Sequence, residues 1–152
     1  MYFWKIDKLT ADLAKTSLSE KESLKYLVAP IVFGLIMSLV PSGAENGWDV
    51  FSNIVFGAII ILGTIKMYKV NGGNNGKDFL QRYVAISWVV LVRWMALIMI
   101  PVLVFYGIAV YSLMIPSGAT EAFDFMLFTL LNAIYFMLMI SSMKDISMAS
   151  KK

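Results

Sequence analysis

Residues 48–69 read WDVFSNIVFGAIIILGTIKMYK. From Val50 to Ile65 no side chain is charged, while Asp49 stands before the run and Lys66 and Lys69 follow it. A bilayer core of about 30 Å needs roughly 20 residues of helix at 1.5 Å each. The stretch Trp48–Ile65, with its flanks, meets that length. It predicts a membrane helix whose lysine end faces the cytoplasm.

Three more apolar stretches lie on either side. One is Tyr26–Val40, lengthened by Leu24 and a snorkelling Lys25. One lies within Tyr83–Ile115, and the last is Phe125–Met143. The expectation is an all-α integral membrane protein with four transmembrane helices arranged as two tandem hairpins. Its segments are an amphipathic helix on the cytoplasmic face (1–22), hairpin one (23–68), a cytoplasmic loop (69–82), hairpin two (83–143) and a cytoplasmic tail (144–152).

The loops fix the expected orientation. Lys5, Lys8, Lys15, Lys21 and Lys25 precede the first span. Lys66, Lys69, Lys77 and Arg82 lie between the second and third, and Lys144, Lys151 and Lys152 follow the fourth. The two remaining loops, 41–49 and 116–124, have no Lys or Arg and carry Glu45, Asp49, Glu121 and Asp124. By the positive-inside rule both termini and the middle loop are cytoplasmic, in a membrane of the bacterial inner-membrane kind. The first apolar run starts only after a long polar-rich segment, so the first span is expected to be retained rather than cleaved as a signal peptide.

Composition agrees. Hydrophobic residues make up 59% of the 152 and charged ones 15%, against about 45–50% and 25% in soluble domains. A net charge of +3 is too small to suggest direct binding of nucleic acid; the basic residues suit anionic lipid headgroups. There is no Cys and no His, which removes disulfides, thiolates, His-based triads and the common zinc and haem ligand sets. The expectation is no enzyme, no cofactor and no metal.

Arg93 is the one basic residue inside an apolar stretch. Tyr83–Ile115 would be about 50 Å of helix, and counting back ~30 Å from Ile115 ends near Met95. Arg93 and Trp94 then fall at the inner interface, with Phe79–Val92 as an in-plane helix or a tilted extension. That reading is preferred to a buried gating or anion-binding charge.

Tyr2, Ile6, Leu9 and Leu13 share one helical face, with Lys5, Lys8, Asp12 and Lys15 largely opposite. Such a helix either lies on a membrane or packs on the protein's own cytosolic face. Ser19 and Glu22 form a Ser-x-x-Glu capping box. The glycine- and asparagine-rich stretch 70–78 reads as a flexible loop; its resemblance to a phosphate loop fails on spacing and on the absence of a Ser or Thr after Lys77.

The two outer loops repeat. Pro41-Ser-Gly-Ala and Pro116-Ser-Gly-Ala are each followed by three residues, an aromatic and an Asp, and Pro30 and Pro101 precede them as expected helix kinks. This suggests parallel repeats about the membrane normal. Asp49 and Asp124 with Glu45 and Glu121 would form an outer acidic site, or simply complement helix N-termini. Asn132 and Asn53 would line a polar path or bond between helices. Gly34, Ser38 and Gly57 offer small-residue packing faces. The 11 Met residues suit gap filling.

The favoured function is a non-catalytic oligomeric scaffold or sensor, a dimer or tetramer in the lipid bilayer. It would hold a cytosolic protein partner on Lys5, Lys8, Lys15, Lys69, Lys77 and Arg82. An oligomeric channel or small-solute pore is the alternative, and a membrane-acting effector of a bacterial stress or antiviral response a further one.

Overall fold

The computed structural model describes residues 1–38, 47–115 and 120–150, and every regular element among them is helical. In chain order these are α1 (Ile6–Lys15), α2 (Glu20–Ser38), α3 (Gly47–Val70), a single 3-10 turn (Gly73–Asn75), α4 (Phe79–Trp94), a π turn (Met95–Met99), α5 (Ile100–Ser112) and α6 (Glu121–Ala149).

Among the described residues three helices are long and apolar enough to cross a membrane, not the four expected: α3, the unbroken run Phe79–Ser112, and α6. The shortfall is in α2. Its first six residues include Glu20, Lys21, Glu22 and Lys25, and the uncharged remainder, Tyr26–Ser38, is about 20 Å long. Leu39 and Val40, which complete the expected span, lie outside the described residues.

Ser19 caps α2 as its sequence predicts: the Glu22 N–H donates to Ser19 Oγ at 3.4 Å. The return arm differs, because Ser19 Oγ donates to Glu22 Oε2 at 3.1 Å. α2 stays helical through Pro30. Pro101 is accommodated differently, by the wider turn before it, where the Ile100 N–H reaches back to the Met95 carbonyl. A proline ring collides with the carbonyl four residues earlier, here that of Leu97, and opening the turn relieves that collision.

Packing departs from the two-hairpin expectation. α3 lies along α6, α2 lies on α4, and α1 crosses α4 and α6. Among the described residues, α2 with α3 and α5 with α6 form no comparable interface. The four-residue Pro-Ser-Gly-Ala segments at 41–44 and 116–119 lie outside the described residues.

Two zones result. Leu9, Leu13, Tyr26, Met67, Ala85, Ile86, Val89, Met143 and Ile146 are buried in one core. It gathers α1, α4 and the ends of α2, α3 and α6 bearing the basic segments. Elsewhere the large apolar side chains face outward, as Ile54, Leu62, Phe105 and Ile108 do. α4 runs on through the π turn into α5, as an extension of that span would, and it supplies the centre of the core.

The middle connection is shorter and more ordered than its composition suggests. α3 continues to Val70 and α4 begins at Phe79, leaving Asn71–Asp78. Asn71 Nδ2 donates to the Lys77 carbonyl at 3.1 Å, and Tyr68 Oη donates to Asn74 Oδ1 at 2.5 Å. Gly72 has φ +113°, a conformation that glycine adopts without penalty.

Candidate functional site

The inner face is built around α1. Leu9 and Leu13 are buried against α4 and α6, so the helix packs on the protein itself and turns its polar side outward. Lys5, Lys8 and Lys15 are exposed, as are Lys69 and Lys77. Arg82 is a correction to this set: at 6% exposed it is buried and presents no docking charge. Its Nη1 donates to Asn71 Oδ1 at 3.0 Å and its Nη2 to the Leu13 carbonyl at 3.2 Å. One guanidinium thus ties α1 to the turn before α4. Ser17 Oγ donates to Asp78 Oδ2 at 2.7 Å, and the Tyr2 N–H donates to Tyr26 Oη at 2.6 Å. Tyr2 Oη donates to Asp12 Oδ2 at 2.6 Å, and that bond to a carboxylate raises the Tyr2 phenol above its ordinary pKa.

The seam between α3 and α6 brings together polar residues from the acidic halves of both helices. At its acidic end a cavity of about 290 Å³ is lined by Asp49, Ser52, Glu121 and Asp124 with Trp48 and Phe125. A second cavity, about 200 Å³, is lined by Ser52, Asn53, Thr129 and Asn132 and shares Ser52 and Phe128 with the first. Three of the four acids singled out in the sequence therefore meet at one place; Glu45 lies outside the described residues. Asp124 is already engaged: Thr120 Oγ1 donates to its Oδ2 at 2.9 Å and Tyr106 Oη to its Oδ1. Among the described residues no group of acids is arranged to hold a metal ion.

Asn132 Nδ2 donates to the Phe128 carbonyl of its own helix at 2.8 Å rather than to a neighbouring helix. Further along, the seam is closed by Phe136, whose ring lies so close to Gly63 that a methyl group there would overlap it. Gly63 is the packing glycine that sequence reasoning missed. At Gly34 and Gly57 an added methyl meets nothing within 4 Å, so neither serves as a packing face within the protomer. Nothing is described for the Ser38 side chain. Gly63 lacks the four-residue spacing to Asn53 that marked Gly57, having Ile59 and Met67 at the equivalent positions, so only the partner helix reveals it.

Arg93 is half-buried and has no hydrogen-bond or ion-pair partner among the described residues. It lines a cavity of about 270 Å³ with Trp94, Ser141 and Ser142. Comparison with protein-family models, curated proteins and solved structures finds no match to this chain.

Proposed function

We propose that the protein is a non-catalytic integral membrane scaffold or sensor that engages a cytosolic protein through the outer face of α1 and the turn at 71–78. One observation carries this reading: α1 buries its apolar face on its own bundle, which leaves Lys5, Lys8 and Lys15 exposed, as Lys69 and Lys77 also are. A helix used only to enforce orientation needs no such docking. In this reading α2, continued through Leu39 and Val40, is a short fourth span. Both termini are cytoplasmic in a bacterial inner membrane, and the protein is a dimer or tetramer, since closed symmetric assemblies are the rule. The acidic loops of about nine residues leave little room on the other side for an interface of about 800 Å² per partner.

The test is a photo-cross-linking amino acid placed at Lys5, Lys8 or Lys77 in cells, against a control at the outward-facing Leu62. Discrete adducts with one soluble protein are expected at the first three positions and not at Leu62. Their absence at all three would sink the docking reading. Orientation is checked separately, because the parent has no cysteine. A cysteine at Thr120 should react with an impermeant thiol reagent in intact cells and one at Asn74 should not; the reverse pattern would invert the topology.

The pore remains the second reading, favoured by the meeting of Ser52, Asn53, Thr129 and Asn132 in one cavity. Against it stands the Gly63–Phe136 contact, which leaves no continuous polar route along this seam in one protomer.

A further inference from the structure

We infer that the cavity at Arg93 binds the phosphate of an anionic phospholipid taken from the inner leaflet, an inference that rests on the membrane reading above. Each polar side chain in its lining, Arg93, Trp94, Ser141 and Ser142, can donate a hydrogen bond. The Arg93 guanidinium offers five N–H groups and is always charged, and among the described residues no side chain pairs with it. Trp94, only 7% exposed, lines the same cavity, and its indole N–H is buried without a partner. Buried donors of that kind are rare and expensive. Ser141 and Ser142 add hydroxyls from α6, and Ser142 Oγ presently donates to the Leu138 carbonyl at 2.9 Å. Among the described residues no carboxylate lines the site. A group of donors without an acid suits an anion that only accepts, such as a phosphodiester.

The apolar remainder of the lining, including Leu97, Ile98 and Leu138, suits the start of an acyl chain rather than a free ion. Depth agrees on two independent helices. Arg93 precedes Ser112, the last residue of its helix, by about 29 Å of helix rise, and Ser141 follows Glu121, the first of α6, by about 30 Å. With the acidic ends at one edge of a hydrocarbon core of about 30 Å, both side chains reach the other edge, where the phosphates lie. The π turn begins directly after Trp94, and such turns often occur at binding sites.

The test is native mass spectrometry of the full-length protein in mild detergent, titrated with phosphatidylglycerol, phosphatidylcholine or inorganic phosphate. Expected is one phosphatidylglycerol retained per protomer, well above phosphatidylcholine. Arg93→Gln should weaken it about tenfold or more, as loss of a charge-assisted hydrogen bond does. The double variant Ser141→Ala with Ser142→Ala, which leaves the helix intact, should weaken it several-fold, and Lys66→Gln should not. Equal retention of the two lipids, or phosphatidylglycerol binding unchanged in both the Arg93 and the Ser141/Ser142 variants, overturns the proposal. Saturation by inorganic phosphate that phosphatidylglycerol does not displace assigns the site to a free anion and overturns the lipid source. Failure of the membrane reading is separately visible: alkaline carbonate would then release the protein from membranes.

Discussion

Replacing Leu9 and Leu13 together by Ala should free α1 from the bundle while leaving the long helices assembled. Both side chains are essentially inaccessible, at 0% and 2% exposed, and truncating a buried Leu costs about 2–5 kcal/mol. At 10 residues, α1 is below the ~12–15 residues at which even favourable isolated helices become marginal in water. It therefore has no means of persisting once undocked. Trypsin should then cut after Lys8 and Lys15 about a hundredfold faster or more, because cleavage tracks the population of the open form. Arg82 would lose the Leu13 carbonyl as an acceptor and remain buried, adding to the loss. Cleavage within about twofold of the parent would mean that these two leucines do not hold the helix. The consequence for the scaffold reading is direct, since the exposed lysines of α1 are ordered only while it is docked.

Gly63→Ala is expected to be the most damaging small substitution in α3. The added methyl overlaps the Phe136 ring, and Phe136 is buried at 6% exposed, so the α3–α6 seam must spread. Overpacking of this kind costs about 1–3 kcal/mol, more than the ~1 kcal/mol by which Ala improves on Gly as a helix former. Thermal unfolding in detergent should move down by several degrees. Gly57→Ala meets no neighbour in the protomer and should leave the midpoint unchanged or raise it. Phe136→Leu in the Gly63→Ala background should recover part of the loss. Equal behaviour of the two glycine variants would refute the close approach.

The apolar runs were legible because hydrophobic length is a one-dimensional property: Val50–Ile65 and Phe125–Met143 announce α3 and α6 without reference to any neighbour. The Ser19–Glu22 cap was legible for the same reason, being local. Arg82 was not. In sequence it is one more basic residue near Lys77, and its inward turn depends on Asn71 and on the Leu13 carbonyl, far apart along the chain. Gly63, between Ile59 and Met67 at four-residue spacing, gives no sign of its role until Phe136 is placed over it. The acids were recognised as a group, and Asp49, Glu121 and Asp124 do share a cavity. That Asp124 is held by Tyr106 and Thr120 required the Tyr106 side chain of α5 to reach the start of α6. The first span falls short because Tyr26–Ser38 is only about 20 Å of uncharged helix behind Glu20, Lys21, Glu22 and Lys25, and Leu39 and Val40 lie outside the described residues.

The π turn at Met95–Met99 sets the chain's register. A wide turn holds one residue more than an α-helix of the same rise would use, and each residue of α-helix rotates its successors by about 100°. Removing a single residue there would leave a regular helix between Trp94 and Ile100, with its backbone ladder intact. It would also swing the side of α5 bearing Phe105 and Ile108 through more than a quarter of a circle relative to α4. Since α4 is clamped by α1, α2 and α6 while α5 forms no extensive interface with another helix among the described residues, the rotation would appear mainly on the outward apolar surface. The direction in which that surface faces is thus written in the count of residues between Arg93 and Pro101, independently of which residues they are.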